Sequence, residues 1–262
     1  MHADPRPTPP PLHEQLSALL REHRVLIEQL RQRQDHFRRV ARSVWRVQED
    51  ERRRIAHELH DGIGHNVTAL IHLIGEALAA LPDGDATRAV RHGLERAGAI
   101  AAATLDDTRT LSRLLRPQIL DDLGLEPALR WLVRTFAETH ALEVALHVDG
   151  PADELDGDRR TLVFRVAQEA LANVARHAQA RRVEVALVCA DGHASLSVRD
   201  DGRGADPRRA LARSGEGASS GLGGMHERVR LFGGSLHVES EAGAGFAVTV
   251  RFPISDGEPV PR

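Results

Sequence analysis

The sequence contains no lysine and no tyrosine: all 35 residues counted as lysine plus arginine are arginine. That absence excludes Schiff-base chemistry on a lysine amine. It also excludes a Gly-Lys-Ser/Thr phosphate loop and the strand lysine of a Ser/Thr/Tyr kinase. The single cysteine, Cys189, excludes an internal disulfide, a cysteine-rich zinc site and an iron–sulfur cluster, and fits a reducing compartment. No apolar run approaches the ~18 residues of a membrane span: the longest, Val67 to Gly75, is interrupted by His72. MHADPRPTPPPL has no apolar signal core. With a net charge of −3 and 41% apolar residues, the 262-residue chain has neither a basic field for nucleic acid nor a disordered composition. The expectations are a cytoplasmic chain with no membrane span of its own and no direct nucleic-acid partner.

Residues 1–11 carry five prolines and read as a disordered lead. From 12 to 47 the apolar positions fall at steps of three and four: Leu12, Leu16, Leu19, Leu26, Leu30, Phe37, Val40, Val44 and Val47, with His23 and Arg33 in the same series. More than four heptads of this pattern predict a coiled coil in a parallel homodimer. An eight-residue step from Val47 to Ile55 breaks the heptad as a stutter would, and the helix continues through Leu59, Ile63, Leu70, Ile74 and Leu81. Pro82-Asp83-Gly84-Asp85 signals a turn, and a second long helix follows from Val90 to Leu115, stopped by Arg116-Pro117. Two such hairpins make a four-helix bundle over 48–116, with a linker at 117–124.

Beyond the linker, 125–254 reads as a mixed α/β domain. It holds helices over Leu125–His140 and Arg159–Ala178, a strand over Glu143–Val148, and a hairpin of Val183–Cys189 and Ser195–Arg199 around Asp191-Gly192. A Gly/Ser/Arg-rich loop from Asp201 to Gly221 follows. A helix (Gly224–Phe232) and two strands (Ser235–Glu239 and Phe246–Phe252) complete the domain, and 255–262 is a disordered tail. The fold class is multi-domain α plus α/β: a coiled coil, a dimeric four-helix bundle, then an α/β sandwich.

Three sets of residues carry chemistry. In mid-helix stands Glu51-Arg52-Arg53-Arg54-Ile55-Ala56-His57-Glu58-Leu59-His60-Asp61-Gly62-Ile63-Gly64-His65. His57 and His60 are three apart with Asp61 in the place of a fourth-position histidine, so the zincin pattern fails. Arg52 to Arg54 read as a solvated face. On the later helix Glu169, Asn173 and Arg176 share one face. Asp200-Asp201-Gly202-Arg203-Gly204 follows a strand, Gly221-Leu222-Gly223-Gly224-Met225 opens a helix, and Gly243-Ala244-Gly245 lies between two strands.

In this order these segments resemble the sensor histidine kinases of the NarL-type subgroup, over about Gln48 to Pro253. Leu115-Arg116-Pro117 with Leu120-Asp121-Asp122-Leu123-Gly124-Leu125, and Glu227-Arg228 after Met225, belong to the same likeness. The resemblance implies a dimerisation and histidine-phosphotransfer bundle followed by a Bergerat-type (GHKL) ATP-binding domain. It implies His60 as phosphoacceptor with Asp61 as its activating carboxylate, and His65 where a glutamine usually orients water for dephosphorylating the partner. Asn173 corresponds to the Mg²⁺ ligand, supported by Glu169, and Asp200 to the acceptor of the adenine amino group, with Gly202 and Gly204 beside the base. Gly221, Gly223 and Gly224 line the phosphates; His177, Leu222, Met225, Gly243 and Gly245 complete the nucleotide-binding set, and Asp206 to Ser220 form a lid.

The implied activity is autophosphorylation from ATP and Mg²⁺, followed by transfer to an aspartate on a NarL-type response regulator receiver domain with helix-turn-helix output. This sequence departs from the family pattern at His65, at Ser219 and Phe246, where glycine and threonine are usual, and at Arg176, which stands for a lysine. A silent dimeric scaffold and a GHKL serine kinase or anti-sigma factor are the alternatives. The input signal, the regulator served, and transfer in cis or in trans are not legible in the residues.

Overall fold

In a computed structural model the described residues are 12–82, 84–115, 118–206, 221–241 and 243–255, and for 12–15, 17, 18, 60, 113, 114 and 118 the main chain alone. The chain divides into two compact units, 1–45 and 46–262. The first unit is helical, the N-terminal part of α1 (Leu12–Glu58). From Leu16 to Val44 its apolar series is exposed, Leu30 at 65% and Phe37 at 70%.

In the second unit α1 passes at Leu59–Gly64 into a π-helical turn, and the rod resumes as α2 (His65–Ala80). Val47 to Ile55 are α-helical, as a shift of apolar phase within a continuous helix allows, and the π-turn is a separate irregularity beyond Glu58. An i→i+5 turn holds one more residue than an α turn, so it shifts the helix face without breaking the rod. The return helix α3 (Arg88–Leu115) packs along the π-turn and α2. The buried Ser112 hydroxyl donates to the Ala56 carbonyl at 2.9 Å, fixing the level of the two arms. Where a linker is expected, Gln118–Asp122 form a short helix, α4. Its Leu120 is buried, which accounts for the segment being folded.

The C-terminal α/β layer begins with α5 (Leu125–His140), whose Leu125, Ala128, Leu129, Leu132, Val133 and Phe136 recur at helical spacing and are all buried. Then come β1 (Glu143–Asp149), a 3₁₀ turn at Ala152–Glu154, and α6 (Gly157–Asn173), which is capped by Asp156 accepting from the Arg159 N–H. A second π-turn, Val174–Ala178, ends α6, so the expected single helix to Ala178 changes its winding at Asn173. β2 (Arg182–Ala190) and β3 (His193–Asp200) form the hairpin. Its turn residues Asp191 (φ 51°) and Gly192 (φ 72°) both have positive φ, the type I′ geometry that matches strand twist. α7 (Leu222–Leu231), β4 (Ser235–Ser240) and β5 (Phe246–Pro253) follow.

The sheet order is β1-β2-β3-β5-β4. β1 lies parallel to β2, with Glu143 opposite Arg182, and the remaining pairs are antiparallel. The parallel pair requires a crossover, which α6 supplies. α5, α6 and α7 cover one face, and the core lies between them and the sheet. The expected lead, the tail other than Ser255 and the lid other than Asp206 lie outside the described residues, as do Arg116-Pro117.

Candidate nucleotide and phosphotransfer site

Asp200 ends β3, directly opposite Phe246 of β5 and Val183 of β2, so its carboxylate is held where three strands terminate. It is 6% exposed, and Oδ1 accepts the Gly202 N–H at 2.8 Å. Burial pushes this carboxyl above the usual carboxylate range, and the N–H groups of Gly202 and Phe246 act in the opposite direction. Asp201 points elsewhere: Oδ1 takes the Arg181 and Arg182 N–H groups at 2.7 and 2.9 Å, which holds its carboxyl low. It fixes the entry to β2, a structural part that the sequence left unassigned.

The turn after Asp200 is packed main chain against main chain. A Cβ on Gly202 would overlap the Ala178 carbonyl, and one on Gly245 (φ 85°) would overlap the Asp200 carbonyl. The second π-turn contributes here. The His177 carbonyl accepts Arg203 Nε at 2.7 Å, and the Ala178 carbonyl accepts the Arg203 N–H at 2.8 Å. Ser240 clasps the other side, donating to the Gly245 carbonyl and accepting from the Ala205 N–H, each at 2.8 Å. Gly243 donates its N–H to the Arg203 carbonyl at 2.8 Å. Arg203 and Ser240 are residues the motif reading missed; their signal was position alone, one within the glycine turn and one at a strand end.

Glu169 and Asn173 lie one helical turn apart on α6. Glu169 Oε1 is buried without a hydrogen-bond partner, with the Arg176 guanidinium 3.8 Å away. Glu169 and Asn173 at this spacing offer a carboxylate and an amide oxygen, hard ligands of the kind a small divalent cation takes, the rest of its shell coming from phosphate and water. Gly221 (φ 89°) turns the chain into α7 and accepts the Met225 N–H at 3.0 Å. Met225 is fully buried, so its place is beneath the surface, fixing α7 on α6. The first N–H groups of a helix have no partner within it, so the start of α7, around Leu222, Gly223 and Gly224, presents partial positive charge.

His60, Asp61 and His65 stand apart from this set, on the helical hairpin. The π-turn contains both His60 and Asp61. Asp61 and His65 are exposed, and His65 borders a cavity of about 210 Å³ with Gly64, Thr68, Leu105, Thr108 and Arg109. Among the described residues, no helix is long and apolar enough to cross a membrane.

Two family models match the chain: a histidine kinase domain over residues 51–120, and the histidine kinase-, DNA gyrase B-, and HSP90-like ATPase over residues 157–256. The oxygen sensor histidine kinase NreB of Staphylococcus carnosus is 35% identical over 238 residues, covering 89% of this chain and 65% of that protein. The sensor histidine kinase MctS of Rhizobium johnstonii is 38% identical over 240 residues, covering 87% and 50%. This chain thus spans half to just under two thirds of those relatives' lengths. Among solved structures, the blue-light activated histidine kinase of Erythrobacter litoralis EL346 is similar at 20% identity and a TM-score of 0.45, covering 67% of this chain and 66% of that one.

Proposed function

As this chain belongs to the histidine kinases with the NarL-type domain pair, we propose that it is an ATP-dependent protein-histidine autokinase, with His60 as acceptor. The observation that carries the reading is the buried Asp200 carboxylate in its glycine cradle, an acceptor shaped for the adenine amino group. Gly202 and Gly204 let main chain approach the base, and Gly221, Gly223 and Gly224 offer N–H groups to the phosphates. Gly243 and Gly245 support the cradle from behind, while His177, Leu222 and Met225 hold its neighbouring elements in place. Asn173 and Glu169 would hold Mg²⁺, which when bound neutralises phosphate charge.

His60 attacks the γ-phosphorus through one ring nitrogen while Asp61 accepts the other N–H and stabilises the positive charge that develops. A P–N bond forms, the bond to the β,γ-bridging oxygen breaks, and ADP leaves. The phosphoryl group then passes to a receiver-domain aspartate of a NarL-type response regulator, and His65 orients water when that aspartyl phosphate is hydrolysed. The exposed stripe of α1 pairs with a second copy in a homodimer.

Incubation with Mg²⁺ and γ-labelled ATP is expected to give a protein-bound label that is acid-labile and base-stable, and absent from His60→Gln. A wild-type protein that binds nucleotide yet takes no label would favour a silent scaffold; an acid-stable label would favour serine chemistry.

Asp200→Asn separates recognition from folding. Asparagine keeps an oxygen for the Gly202 N–H but loses the charge-assisted bond to the base, about 1.5–3 kcal/mol, or about 10- to 150-fold in nucleotide affinity. Because the folded carboxyl titrates above its unfolded value, its ionisation weakens the fold as pH rises past the ordinary carboxylate range. The amide does not ionise, so its melting temperature at pH 7 should equal or exceed the wild type's. A fall in both affinity and melting temperature would assign Asp200 to the scaffold instead.

A further inference from the structure

α1 is tied to the ATPase helix of its own chain by a buried ionic network that the kinase reading does not use. Arg165 Nε and Nη2 donate to Glu49 Oε2 at 3.0 and 2.7 Å, with the two side chains 7% and 5% exposed. The same guanidinium donates to Gln168 Oε1 at 2.9 Å and to the carbonyl of Leu115 at the end of α3. One turn earlier on α1, Arg46 pairs with Asp158 in the first turn of α6 at 2.5 Å. One turn later, Arg53 grips both carboxylate oxygens of Asp121 in α4, at 3.1 and 2.7 Å. Arg52, bonded to Glu49 at 3.0 Å, extends the network toward α7. The Arg228 guanidinium there is drawn below its usual value chiefly by burial; Glu169 and Glu49 oppose that shift and Arg52 reinforces it.

These ties have a direction. From Arg46–Asp158 to Glu49–Arg165 they climb both helices the same way. His60 is eleven residues beyond Glu49, about three full turns and about 16 Å, so its main chain lies on the α1 face that Glu49 presents to α6. Asn173 is eight residues beyond Arg165, about 12 Å along α6. Counted along the helices from the Glu49–Arg165 tie, the proposed metal-binding end of α6 and the phosphoacceptor thus lie at similar distances and in the same chain direction. The segment joining the domains is itself pinned to that chain's α1 through Asp121.

We infer that Arg165 is a positioning residue: through Glu49 it seats the ATPase domain on the phosphoacceptor helix of its own chain, so that His60 is phosphorylated in cis. An ionic seat also suits the next step. Both charges return to water when the domain lifts, whereas separating an apolar seat would expose a bare hydrophobic face to solvent. A receiver domain then has access to His60.

The inference rests on the autokinase reading, and its test separates the two. A heterodimer of one His60→Gln chain and one Asn173→Ala chain, purified through two different tags, is expected to label at under a tenth of the wild-type level. A heterodimer with both substitutions on one chain and none on the other is expected to label at about half. Label on the Asn173→Ala chain of the first heterodimer would overturn the cis assignment; no label in the wild type would overturn the autokinase reading itself.

Glu49→Gln and Arg165→Gln are each expected to lower the labelling rate at saturating ATP at least fivefold, with the KM for ATP within twofold of wild type. Glu49→Arg combined with Arg165→Glu should recover much of the rate. An unchanged or higher rate in Glu49→Gln would overturn the positioning role, because the seat would then be idle or would hold the kinase off.

Discussion

Asn173→Ala is expected to reduce labelling of His60 by about 10³-fold or more while leaving the fold intact. The size follows from the chemistry: a cation neutralising the transferring phosphate is worth several kcal/mol, and each 1.4 kcal/mol is tenfold. The fold should tolerate the change because α6 is held by Leu162, Val163, Phe164, Val166, Ala167, Ala170 and Leu171, all buried, while Asn173 is half-buried at its end. Truncation there falls within about 0.5 kcal/mol of stability, typical of a site outside the core. Binding of a fluorescent ATP analogue in EDTA should be equal in both proteins, and only the increment produced by Mg²⁺ should vanish. A variant that retains that increment would remove Asn173 from the metal site.

Gly245→Ala is expected to destabilise the ATPase domain by about 3 kcal/mol, against about 1 kcal/mol for Gly243→Ala. Both glycines have φ above +80°, and a side chain in that region costs about 1–2 kcal/mol. They differ in surroundings: a Cβ on Gly243 meets open space, whereas one on Gly245 meets the Asp200 carbonyl, main chain with no rotamer to relieve the overlap. Thermal melts should separate the pair by several degrees. Gly245→Ala should also weaken nucleotide binding, because the displaced strand end carries Asp200. Equal melting temperatures would mean that the 243–245 turn is free to shift away from β3.

These contrasts mark what the sequence shows and where it stops. The apolar spacing of α5 predicts Leu125–His140 residue for residue, and Asp191-Gly192 announces its hairpin, because both signals are local. The two π-turns are harder to read: Leu59–Gly64 carries two glycines where α1 has none, but glycine in a helix does not specify an i→i+5 turn, and Val174–Ala178 carries no glycine at all. The parallel pairing of β1 with β2 joins strands separated by a whole helix, a long-range contact that periodicity does not encode. Arg52, Arg53 and Arg54 read as a solvated face, and they are exposed, but Arg53 reaches Asp121 across 68 residues. Arg165 is less legible still, since an arginine inside an apolar helix pattern passes for a surface position, and only the fold brings Glu49 to it. The motif glycines are visible as a set; that Gly245 backs Asp200 while Gly243 faces open space is a property of the assembled turn.

The π-turn at Leu59–Gly64 also sets how this rod tolerates changes of length. It stores one residue beyond what a continuous α-helix would need between Glu58 and His65. Loss of a residue there would be absorbed as rotation of one half of the rod against the other, with the backbone ladder closing into plain α-helix. A gain or loss between Arg46 and Arg53 would instead turn Arg46, Glu49 and Arg53 against one another, so that they could no longer all meet Asp158, Arg165 and Asp121. His60, the proposed acceptor, thus sits in the turn of the rod where a slip in register turns the helix instead of severing its ties.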